Sequence, residues 1–353
     1  MKISKLVWLV SFIGLSMVGQ DSLTIKFHQL VIGQQQQYNI PGLAVGVMQG
    51  DSIIFEASLG FSNLEKQIPL NDQHLFHTAS VSKLFTAQAI MLLSDQGVLN
   101  LDDPVINLWP EFRMKDQRHQ QVTVRHLLRH TSGMPDVAHY HWGSNTSLKA
   151  YCQEIAKKRL HFDPGSQFRY SNLGYSLLGY LVEYLTDKPF HAFLKQQVLM
   201  PAKMKASEFS YPRISESLRV QGYTRKGGKV VPRKVYPYNP AHEPSSTLNS
   251  NVRELLAWTA TLYSETHNNH ALFTAMTQTP STFSKVGMGW FLGDITGVAS
   301  AYHFGGDRGF RSYLLLIPKH QLSLVVLANC DYSEDFRQEI LHTMAKMIME
   351  GYN

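Results

Sequence analysis

His77-Thr78-Ala79-Ser80-Val81-Ser82-Lys83-Leu84-Phe85-Thr86-Ala87 is the stretch on which the reading of this chain turns. It sets Ser-x-x-Lys at the opening of a strongly apolar segment, and the periodicity predicts a helix over Val81 to Gln96. Spacing i to i+3 puts both side chains on one helix face, about 5–6 Å apart at Cβ. A serine hydroxyl is too weak an acid to attack an acyl group unaided. A lysine desolvated among apolar neighbours can lose its proton near neutral pH and serve as the missing base. The helix N-terminus adds a positive dipole where an oxyanion would form. A lone Ser-x-x-Lys is more often a helix cap beside a solvated lysine, so the surrounding text has to decide.

Two further segments do so by order and spacing. Phe168-Arg169-Tyr170-Ser171-Asn172-Leu173 gives Tyr-x-Asn just ahead of another helical stretch. A phenol beside an ammonium can relay a proton, and an amide can orient the lysine and a substrate carbonyl. Tyr302-His303-Phe304-Gly305-Gly306-Asp307 leads towards a strand, where glycines let a substrate backbone approach and expose N–H groups for an oxyanion hole. Each is ordinary turn or loop text by itself. Together, about 90 and then about 130 residues apart, they match the three-motif pattern of penicillin-recognising serine enzymes.

On these residues the chain resembles the class C-type β-lactamases and the related D,D-peptidases, D-aminopeptidases and esterases. Pro41-Gly-Leu-Ala-Val-Gly-Val47, Leu101-Asp-Asp-Pro-Val105, Val124-Arg-His-Leu-Leu-Arg-His-Thr-Ser-Gly133, Gly287-Met-Gly-Trp290 and Leu327-Ala-Asn329 extend the likeness over most of the chain. The resemblance implies an acyl-enzyme route with Ser80 as nucleophile and Lys83 with Tyr170 as coupled base. It also implies that the backbone N–H groups of Ser80 and Gly306 hold the oxyanion, and that Asn172 positions Lys83 and substrate. His303, beside Gly305, stands where the family carries lysine. That exchange weakens the fixed positive charge that would greet a substrate carboxylate, since imidazole is largely neutral at pH 7. Ester, D-amino acid peptide and β-lactam all remain open as substrates, with cell-wall peptides among the expected partners and a slow or inactive wall-binding module of the same fold as the alternative. Ser245-Ser-Thr-Leu-Asn249, where many relatives read Gly-Gly, is taken to concern local structure.

Outward from the motifs, the chain predicts an α+β fold of the β-lactamase/transpeptidase-like type. Leu43–Gln49 and Ile53–Leu59 flank the turn Gly50-Asp51-Ser52 as a hairpin, and Gly289–Leu292, Phe310–Ile317 and Leu322–Ala328 are further strands. A last helix is expected to open on Ser333 as cap, with Glu334 and Asp335 in its first turn. Helical text fills the middle, so an antiparallel sheet built from both chain ends and flanked by helices closes around a mainly helical insertion. The corresponding lobes are 20–72 plus 286–353 and 73–285.

Composition narrows the rest. The chain has 353 residues, 44% of them hydrophobic and 17% charged, enough for a sizeable core. Lys2 and Lys5 ahead of the apolar Leu6–Met17 have the layout of a secretory signal over residues 1–19, predicting a periplasmic or secreted protein. The formal charge of +6 is scattered and forms no stripe, which argues against nucleic acid. Two cysteines, Cys152 and Cys330, make no disulfide framework. His126-x-x-x-His130 has zinc-pair spacing but no third ligand, and neither metal nor cofactor is expected. The Tyr236-Pro237-Tyr238 run reads as a Pro-braced surface loop.

Overall fold

A computed structural model describes residues 22–136, 144–279 and 285–351. The expected signal at residues 1–19 lies outside the described residues. A helix α1 (Ser22–Gln37) leads into the hairpin β1 (Gly42–Gln49) and β2 (Ser52–Asn63), with a short β3 (Ile68–Pro69) on the outer edge. Near the other end come β4 (Phe291–Ile295), β5 (Val298–Asp307), β6 (Phe310–Ile317) and β7 (Leu322–Ala328), then the terminal helix α8 (Phe336–Glu350). These strands form one sheet in the order β3-β2-β1-β7-β6-β5-β4. Every pairing in it is antiparallel, and β1 joins the two chain ends by pairing with β7 from Leu43↔Ala328 to Gln49↔Leu322.

Both faces of the central strands are covered, which is why they read as unbroken apolar runs. Leu43, Val45 and Val47 of β1 and Leu324 and Val326 of β7 turn towards Phe27 and Val31 of α1 and Ile340 and Met344 of α8. Ala44 and Met48, with Val325 and Leu327, turn towards the helical side. Each such aliphatic side chain taken out of water contributes roughly 1.5–3 kcal/mol. On the helical side, Val252 and Leu256 of α7 (Val252–Tyr263) press so closely on β1 that a Cβ at Gly46 would lie 2.2 Å from Val252.

Between the strand groups lie α2 (Ser82–Asp95), α3 (Val124–Leu128), α4 (Leu148–Gln153), α5 (Asn172–Thr186) and α6 (Glu243–Ser246), with other short helical turns. Eleven residues of α2 are buried, seven of them apolar, so this helix runs through the middle of the larger core. Its position fixes Lys83.

Several expectations shift. The terminal helix starts at Phe336 with Asp335, not Ser333, as N-cap, and Asp335 makes no side-chain cap bond there. The strand expected at Gly289–Leu292 runs over Phe291–Ile295, after a left-handed Gly289. Its partner β5 is unpredicted as a strand and carries the whole His303–Asp307 segment. Val81 belongs to a 3-10 turn ahead of α2, and α3 ends at Leu128, short of His130, which has φ +56°. The Tyr236 loop is no simple surface loop. The Tyr236 ring stacks 3.7 Å from that of Tyr211, its hydroxyl donates to Asn249, and Pro237 is buried. Cys152 and Cys330 are free and buried.

Candidate active site

Ser80 sits in the 3-10 turn Ala79–Val81, immediately before α2. The turn begins with a buried Ala79 at φ +48°, a left-handed conformation that costs a non-glycine residue about 1–2 kcal/mol. Three parts of the chain hold it. Thr78 donates through its backbone N–H (2.8 Å) and hydroxyl (2.9 Å) to the Leu248 carbonyl. The Ser312 hydroxyl of β6 donates to the Thr78 carbonyl at 2.6 Å. Ser82 donates to the Ala79 carbonyl (2.6 Å) while accepting from the Leu248 N–H (2.9 Å).

One turn on, Lys83 is sealed from solvent at 0% exposure. Its ammonium donates to Ser80 Oγ at 3.3 Å, Asn172 Oδ1 at 2.7 Å and the Ser245 carbonyl at 2.6 Å, so all three of its donors have acceptors. Burial pulls its pKa down from 10.5 to about 7, with Asp136 and Asp307 pulling the other way by charge. Lys83 Nζ also lies 4.8 Å from the centre of the Tyr170 ring. The Tyr170 phenol interacts with the Ser80 hydroxyl, and burial holds it above the ordinary phenol range despite that contact.

β5 closes the other side. β4 pairs with β5 only as far as Phe291↔Tyr302, so from His303 to Asp307 that side of β5 has no strand on it. β5 is thus an interior strand of the sheet, with one uncovered stretch beside the serine. A Cβ at Gly305 would lie 2.0 Å from Ser312 Oγ and 2.2 Å from the Thr78 carbonyl, so only glycine lets the strand meet the serine turn. Gly306 faces outward, with Arg311 Nη1 nearest its missing Cβ at 3.3 Å. His303 is buried, its Nδ1 2.7 Å from the Phe304 carbonyl. Burial, then the nearby Lys83 charge, lower its pKa to about 3, which leaves a neutral imidazole.

The structure brings Ser80, Lys83, Tyr170, Asn172, His303 and Gly305 around one point, with Gly306 next along the strand. It also shows residues that sequence reasoning passed over. Ser245, at α6, supplies a Lys83 acceptor through its carbonyl, so its segment takes part in the site and not only in local structure. Asp136 accepts from Asn172 Nδ2 at 2.9 Å and from the Asn172 N–H at 3.2 Å. His130 stacks on Tyr170 at 4.4 Å and accepts from the Ser171 N–H at 3.1 Å, while His126 completes the cap of α3. The two histidines therefore serve separate packing and capping roles. His77 Nε2 lies 3.2 Å from Asp307 Oδ2 at the far end of β5. Phe291 stacks near Tyr170 (6.4 Å) and packs on His303 (5.2 Å), and Phe168 stands beside it (6.4 Å), giving the site an aromatic wall.

Comparison with known proteins gives the chain's relatives and its family. The chain is 28% identical over 340 residues to penicillin-binding protein 4* of Bacillus subtilis, a match covering 88% of this chain and 72% of the relative. It is 27% identical over 308 residues to protein flp of Staphylococcus aureus, covering 83% of this chain but 60% of that longer protein. In fold it resembles the octameric penicillin-binding protein homologue from Pyrococcus abyssi, with a TM-score of 0.78 at 23% identity over 92% of this chain and 77% of that one. The β-lactamase family model matches residues 27–346, and the chain belongs to that family.

Proposed function

We propose that this chain is a serine hydrolase that works through an acyl-enzyme, with Ser80 as nucleophile. The observation that carries the reading is the buried Lys83 amine, poised near neutral pH and held 3.3 Å from Ser80 Oγ. Neutral Lys83 takes the Ser80 proton as Oγ attacks the acyl carbon. The negative charge on the former carbonyl oxygen falls to the N–H groups of Ser80 and Gly306. Collapse expels the leaving group, which takes a proton passed back through Tyr170, and water then releases the acid by the same route in reverse. Burial disfavours the Tyr170 phenolate, so Lys83 is the base and Tyr170 the relay.

Among substrates the site favours neutral acyl donors, esters first. His303 is uncharged where a carboxylate-recognising relative has lysine, and Phe168 and Phe291 offer apolar surface beside the serine. A pure binding module has no physical need of a desolvated lysine on its serine. Export, supported by Lys2, Lys5 and Leu6–Met17, is part of the proposal and is checked by N-terminal sequencing of the mature protein.

Intact-mass analysis after mixing with a penicillin, a D-Ala-D-Ala peptide and a short-chain ester tests the reading. Rapid ester turnover that disappears in Ser80→Ala is the expected result. A protein that turns over none of the three, forms no adduct and does not react with a fluorophosphonate would overturn it.

A further inference from the structure

Asp136 lies outside the three motifs, on the segment that follows Thr131-Ser132-Gly133, yet it is tied to the lysine through a single side chain. Its carboxylate accepts from the backbone N–H groups of Asn172 (3.2 Å) and Leu173 (3.4 Å) at the start of α5, and from Asn172 Nδ2 (2.9 Å). The other end of the same amide, Oδ1, accepts from Lys83 Nζ at 2.7 Å. A carboxylate can only accept and an ammonium can only donate. An amide bridging the two therefore has one satisfactory orientation, with its carbonyl towards the lysine. Turned over, it would set its carbonyl against the carboxylate and its NH₂ against the ammonium.

We infer that Asp136 is a positioning residue of the serine site: by fixing the orientation of the Asn172 amide it holds Lys83 against Ser80 and supplies the site with a balancing negative charge. α5 does not need this contact for its cap, because Ser171 Oγ already accepts from the Gly174 N–H at 3.0 Å. The exposure of Asp136 means that its side chain is not there to fill the core. Among the described residues, the charges and titratable groups around Lys83 are few. Asp136 and Asp307 act on it as anions, neutral His130 and His303 sit close by, and the rings of Tyr170 and Tyr175 face its ammonium at 4.8 and 5.6 Å. Removing one of two anions from so small a set lowers the pH at which Lys83 gives up its proton.

The inference rests on the serine-hydrolase reading for its purpose, but its test does not require turnover. The protonation midpoint of Lys83 is read from the ¹³Cε resonance in ¹³C-lysine-labelled protein, assigned by its loss in Lys83→Arg. The midpoint should fall by about half a pH unit or more in Asp136→Asn and Asp136→Ala, and return towards wild type in Asp136→Glu. With an ester substrate, kcat should fall about tenfold in Asp136→Asn with little change in KM, and the acidic limb of the pH profile should move down with the midpoint. If Asp136→Ala does not fold, Asp136→Asn carries the test alone. Midpoints that coincide in wild type, Asp136→Asn and Asp136→Glu would overturn the inference. Absence of any Ser80-dependent acylation in the wild type would instead sink the hydrolase reading and leave the titration to be read by itself.

Discussion

Lys83 Nζ, itself sealed from solvent, stands 3.3 Å from the Oγ of the half-buried Ser80. An amine in that position is caught between two tendencies. Its three acceptors favour the ammonium, while burial favours the free base, and the balance falls at about pH 7.

Activity should follow that balance. If free Lys83 is the base, kcat/KM for an ester rises with pH through a midpoint near 7 and levels above it. A profile still climbing with unit slope to pH 9 would show that Lys83 is not the group being titrated.

The same displacement makes stability depend on pH. The folded-state pKa of Lys83 lies below its unfolded value, so between about 7 and 10.5 the unfolded chain binds more protons, and stability rises with pH across that window. The full span is on the order of 5 kcal/mol as an upper bound. Lys83→Met, which keeps the bulk without the charge, should therefore stabilise most at pH 6 and least near pH 10, while lowering kcat by at least about 10²-fold. Urea unfolding at the two pH values is the measurement, and parallel shifts would refute the assignment.

Gly305 and Gly306 should respond unequally to the same change. Gly305→Ala drives a methyl into Ser312 Oγ and the Thr78 carbonyl, and is expected to lose about 1–3 kcal/mol and about 10²-fold in kcat. Gly306→Ala meets Arg311 Nη1 at 3.3 Å, a contact that a shift of a few tenths of an ångström relieves, and should be destabilised less. Melting curves of the pair, alongside ester turnover, decide the matter; equal destabilisation would contradict the packing.

His303→Lys tests the substrate reading. A cation at this position should raise acylation by a penicillin relative to a neutral ester by about tenfold, the worth of one charge-assisted hydrogen bond of roughly 1.5 kcal/mol. The added positive charge should also lower the Lys83 midpoint. An unchanged penicillin-to-ester ratio would mean that position 303 does not select for charge.

What could be read from the sequence was what local chemistry states outright. Leu43–Gln49 and Phe310–Ile317 were legible as strands because β-branched and apolar residues end at clear turns. Val298–Asp307 was not, since Ala-Ser-Ala and Gly-Gly carry little strand preference and the strand is made by its pairing with β6. Ser80, Lys83 and Tyr170 announced themselves by spacing. Asp136 did not, because an aspartate after a proline looks like turn text until Asn172, 36 residues away, is folded against it. The Ser245 carbonyl was equally hidden, a backbone atom having no signature in side-chain sequence.

The left-handed Ala79 has a consequence for how the protein fails. The serine's backbone is kept in an uphill shape by clasps from Leu248 and Ser312, and the local chain would not choose that shape alone. When either clasp lets go, the turn relaxes downhill and the nucleophile is misaimed, although the seven-stranded sheet still stands. Mild denaturant or heat should therefore silence the protein before circular dichroism registers any loss of structure. Its working lifetime would then be set by two hydrogen-bonded contacts and not by the stability of the fold as a whole.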